Sequence, residues 1–72
     1  MESVHVVIAY GNPKIAAMVQ ALASVIGGPA AVCQVAKDDT SVVVDFETEE
    51  QAEEFRKDVK SLIPTLAYLT PV

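Results

Sequence analysis

The chain has 72 residues, a formal net charge of −5, one cysteine and 51% hydrophobic residues. Such a length makes one small domain, residues 1–72, which buries only about 60–65% of its unfolded surface and gains most from an added interface. The apolar content excludes a disordered chain, and five basic against ten acidic residues argue against nucleic-acid backbones and anionic membrane surfaces as partners.

Val4 to Tyr10 is a β-branched run, and period two turns Val4, Val6, Ile8 and Tyr10 inward, with His5, Val7 and Ala9 on the open face. Gly11-Asn12-Pro13 closes it, Asn12 suiting a helix N-cap and Pro13 the first helical position. From Ile15 the apolar residues recur at 15, 18, 19, 22, 25 and 26, which predicts a helix of about three turns. The outward side then holds Ala16, Ala17, Gln20, Ala23 and Ser24, with Ala21 at its border. Gly27-Gly28-Pro29 ends the helix.

Ala30 to Ala36 reads as a second strand, joined through the polar turn Lys37-Asp38-Asp39-Thr40 to a third, Ser41 to Phe46. On that third strand Val42, Val44 and Phe46 point inward, and Ser41, Val43 and Asp45 outward. Thr48 with Gln51 forms a capping box for a second helix, from about Glu49 to Leu62, whose inner face is Ala52, Phe55, Val59, Leu62 and Ile63. Its glutamates come early and Arg56, Lys57 and Lys60 late, matching the helix dipole, and Glu53 pairs with Lys57. Pro64 stops it, and Leu66 to Thr70 can form a fourth strand before Pro71. The order β-α-β-β-α-β predicts an α+β, ferredoxin-like sandwich: a four-stranded antiparallel sheet of order 4-1-3-2 with both helices on one face.

Val42 to Phe55, about a fifth of the chain, resembles the third strand and second helix of an RNA recognition motif. That resemblance implies base stacking on aromatic rings of the central strands. The matching positions here are Val7, Ser41 and Val43, none of them aromatic. Gly11, Asn12 and Lys14 lie where ACT-type regulatory domains, which share this topology, often bind amino acids. Ala31 to Val35 and the tail Leu69 to Val72 are similar to the trimeric divalent-cation-tolerance family, whose hairpin between strands two and three is longer.

The chemistry-bearing residues have plain readings. His5 is the only histidine, with no partner nearby in sequence, and Cys33 sits in an apolar strand as a small hydrophobe. Glu49, Glu50, Glu53 and Glu54 complement a helix dipole, so no metal site is expected. No phosphate-binding glycine loop occurs. An enzyme is therefore not expected, nor a cofactor. The lone cysteine, the acidic start Met1 to His5 and the lack of a long apolar run lead us to expect a cytoplasmic protein without signal peptide or membrane span.

The expectation is a non-catalytic protein-interaction or oligomerisation module, homodimeric or part of a larger assembly. Its contact surface is the first helix at Ala17, Gln20, Ala21 and Ser24, where small uncharged side chains let another backbone approach. The alternative is an ACT-like small-ligand domain binding at Gly11, Asn12 and Lys14, and the third a degenerate RNA-recognition fold. The open sheet face of His5, Val7, Ser41 and Val43 has no role fixed by the sequence.

Overall fold

The valine-rich runs pair as expected of β-branched segments. In the computed structural model, which describes residues 2–62 and 67–70, strands β1 (Glu2–Ile8), β2 (Val32–Val35) and β3 (Ser41–Phe46) form an antiparallel sheet. Helix α1 (Pro13–Gly27) links β1 to β2, and α2 (Glu49–Leu62) follows β3. Strand β4 (Ala67–Thr70) lies along the other side of β1, so the order is β2-β3-β1-β4. The class is α+β. The expectations placed on Ile63, Pro64, Leu66, Pro71 and the Leu62 side chain lie outside the described residues.

Alternation fixes which side of the sheet is buried. Val4, Val6 and Ile8 of β1 and Val42, Val44 and Phe46 of β3 are buried together with Ala52, Phe55 and Val59 of α2. α1 lies over β3 and touches β2, while α2 lies over β1, β3 and β4. Phe46 is the ring that both helices meet. Its centroid is 5.1 Å from that of Phe55, at a tilt of 52°. Gly27 leaves room for it, since a Cβ there would stand 2.9 Å from Phe46 Cδ1 and 2.6 Å from the Ala31 Cβ.

Several expectations are corrected. β1 ends at Ile8, and Tyr10 is not inward-facing: it is fully exposed, with a φ of 60° that breaks the strand. β2 begins at Val32 rather than Ala30, because Gly28–Ala30 winds into a short 3-10 turn. Arg56, not Lys57, pairs with Glu53, at 2.6 Å. The capping box is one-sided: Gln51 N–H donates to Thr48 Oγ1 at 3.2 Å, but Gln51 Oε1 is buried without a partner among the described residues. Among the described residues no helix is long and apolar enough to cross a membrane.

Candidate functional site

Helix α1 begins as the sequence directs. Asn12 is its N-cap, its Oδ1 accepting from Lys14 N–H at 3.0 Å and Ile15 N–H at 3.3 Å, and Pro13 follows. Ala16 N–H reaches Asn12 O at 3.0 Å. At the other end Gly28, φ 63°, donates its N–H to Ser24 O.

The rotation of this helix about its axis differs from the expectation. Ile15, Ala16, Val19 and Ala23 face the core, so Ala16 and Ala23 belong inside rather than on the outward side. Met18 and Val25, expected in the core, are 50% and 81% exposed. The physical reason is size: two alanines on the inner face let the helix lie close to its neighbours, and no charged face opposes that choice.

Of the expected contact residues, Ala17, Ala21 and Ser24 are exposed, and Gln20 is half-buried with Nε2 3.5 Å from Ala16 O. Together with Met18 and Val25 they make a side of the helix that is more apolar than expected and whose one charge is Lys14, in the first turn. The missed signal was the shortage of polar residues throughout the helix.

The open face of the sheet is built from Ser3, His5 and Val7 of β1 and Ser41, Val43 and Asp45 of β3, all half-buried, with Val32 and Gln34 of β2 beside them. His5 is opposite Val43, Val7 is opposite Ser41, and Ser3 Oγ donates to Asp45 Oδ1. These positions on β1–β3 carry neither an aromatic ring nor a Lys or Arg, while the register of β4 sets Tyr68 opposite Val7 and Thr70 opposite His5.

Ala9 to Lys14 line an open depression of about 470 Å³ beside the start of α1. Gly11, Asn12 and Lys14 are thus brought together there. The first-turn donors are already used, however: Pro13 has no N–H, those of Lys14 and Ile15 bond Asn12 Oδ1, and that of Ala16 bonds Asn12 O. A second depression, about 440 Å³, is lined by Glu49, Glu50, Glu53, Glu54 and Lys57. No group of three or more His, Cys, Asp or Glu able to hold a metal occurs among the described residues. Cys33 is half-buried at the core's margin, and burial pushes its thiol pKa upward.

No family model matches the chain, and neither does any curated protein or solved structure.

Proposed function

We propose that this chain is a ferredoxin-like, non-catalytic module of the cytoplasm that works by self-association, as a homodimer or as a subunit of a larger assembly. The observation that carries this reading is the exposed side of α1. Ala17, Met18, Ala21, Ser24 and Val25 are all exposed and none is charged, Lys14 at the helix start being the one charge on that side of a protein of net charge −5. Small side chains permit close helix–helix approach, and Met18 and Val25 supply apolar area without charge desolvation. Sedimentation equilibrium over a range of concentrations tests it. Ala17→Glu or Ser24→Lys should return the assembly to a folded 7.7 kDa monomer; a mass unaffected by both removes the reading.

The second reading, an ACT-like ligand domain, draws on the depression at Gly11, Asn12 and Lys14. It ranks lower because a carboxylate or phosphate ligand would find the first-turn N–H groups of α1 already bonded to Asn12. Thermal stabilisation by a member of an amino-acid and nucleotide panel would reverse that ranking.

A further inference from the structure

Strand β2 is an edge strand, and its hydrogen-bonding groups can be followed one residue at a time. Ala36 N–H donates to Ser41 O at 3.0 Å, and the register opposes Val35 to Val42, Gln34 to Val43 and Cys33 to Val44. In an antiparallel pair the residues alternate between bonding the neighbour and pointing away. Ala36 and Gln34 therefore bond β3, and Cys33 and Val35 aim their N–H and C=O groups outward. On the other side of β3, Ile8 N–H reaches Thr40 O at 2.7 Å, which agrees with this alternation.

The edge is short, four residues, but lacks the other usual protections. It holds no charge, proline or bulge over Val32–Val35, and Val32 and Val35 are 47% and 37% exposed. Charge limits what can land on it. Residues 3–37 contain no Asp or Glu at all, their only charged side chains being Lys14 and Lys37. On a chain of net charge −5, β2 and α1 themselves offer a second copy no acidic side chain, the acids nearest the edge being Asp45, opposite Val32 on β3, and Asp38 and Asp39 in the turn.

We propose that β2 pairs antiparallel with β2 of a second copy, about a two-fold axis passing between the two Gln34 residues. In this register Cys33 of each copy meets Val35 of the other as a hydrogen-bonded pair, and every outward group of both residues finds a partner. A register centred on Cys33 does less well: it would call on Ala31 N–H, already donated to Gly28 O at 3.2 Å. The two Gln34 side chains face each other on the open side, where their amides can bond reciprocally. Such pairing joins two sheets into one and keeps both helix layers on the same side. Because α1 lies over β3 and touches β2, the two α1 helices are brought to the joint. The inference rests on the self-association proposed above and supplies its geometry.

Cross-linking tests it together with a proline variant. Gln34→Cys in a Cys33→Ala background should oxidise to a covalent dimer in dilute solution, because opposed residues of a non-hydrogen-bonded pair lie about 4.5 Å apart. The native protein, with Cys33 opposite Val35, should not cross-link. Val35→Pro removes a donor the monomer does not use, and should halve the sedimentation mass with the circular dichroism spectrum retained. Efficient linking through native Cys33, or none through Gln34→Cys, overturns the register whether or not the proline variant folds. A wild-type dimer that survives Val35→Pro but not Ala17→Glu overturns the edge while leaving the helix surface standing. A wild type that is monomeric at every concentration overturns both.

Discussion

A Cβ on Gly11 would stand 2.3 Å from the backbone carbonyl oxygen of Asp38. The turn before α1 and the β2–β3 hairpin thus touch backbone to backbone, and Gly11 does so at a φ of 57°. Neither main chain can yield as a side chain would. Gly11→Ala should therefore cost more than the roughly 1–2 kcal/mol of left-handed strain alone, read as a fall in the urea midpoint.

The Phe46–Phe55 contact sets a second expectation. Phe55 is fully buried, and Phe55→Ala should cost about 3–5 kcal/mol. A domain this small has about 4–11 kcal/mol in all, so the loss is a large share of its stability and should show as a clear fall in the urea midpoint. Phe55→Leu keeps most of the volume and should cost clearly less in the same denaturation series.

The rotation of α1 can be tested by a pair of substitutions. Ala23 is buried and Val25 is exposed. Ala23→Leu overfills the core and should lose about 1–3 kcal/mol. Val25→Ser, compared in the Ala17→Glu monomer so that association does not enter, should move stability by no more than about 0.5 kcal/mol. Equal losses, or the reverse order, would mean that the helix sits differently.

Asp38 gives a pH expectation. The Thr40 hydroxyl, at 2.5 Å, and the Thr40 N–H, at 3.2 Å, both bond its carboxylate and hold its pKa below 3.8. A carboxyl depressed by folding adds stability that is present above its unfolded pKa and is lost as pH falls through the folded value. Asp38→Asn should flatten the acid limb of stability below about pH 4. A limb as steep as that of the parent would show that this turn contributes nothing.

How far the sequence reached depended on polar contrast. α2 is edged by Glu49, Glu50, Glu53 and Glu54, so its buried residues Ala52, Phe55 and Val59 follow from the pattern directly. α1 offers apolar residues at Ile15, Ala16, Ala17, Met18, Val19, Ala21, Leu22, Ala23, Val25 and Ile26. A helix apolar on nearly every side can be turned through a residue's angle without breaking its period. Packing selected the narrow alanine side, which no periodicity encodes. Exposure of Ala17, Ala21 and Ser24 was legible, and that of Met18 and Val25 was not. Tyr10 misled in the same way: its β-propensity continued the strand, but the fold needs a left-handed residue there to reach Gly11. The outward groups of Cys33 and Val35 were beyond sequence reading, because they depend on which neighbour β2 has and in what register.

The seat of Phe46 has a dynamic consequence. One ring rests against Phe55 of α2 and against the backbone of Gly27 at the end of α1. Lifting either helix would uncover one side of the ring against which the other rests. The two should therefore behave as a single opening unit in native-state amide exchange, their slow protons sharing one free energy and one denaturant slope. A core divided between two separate anchors would instead let each helix breathe at its own rate.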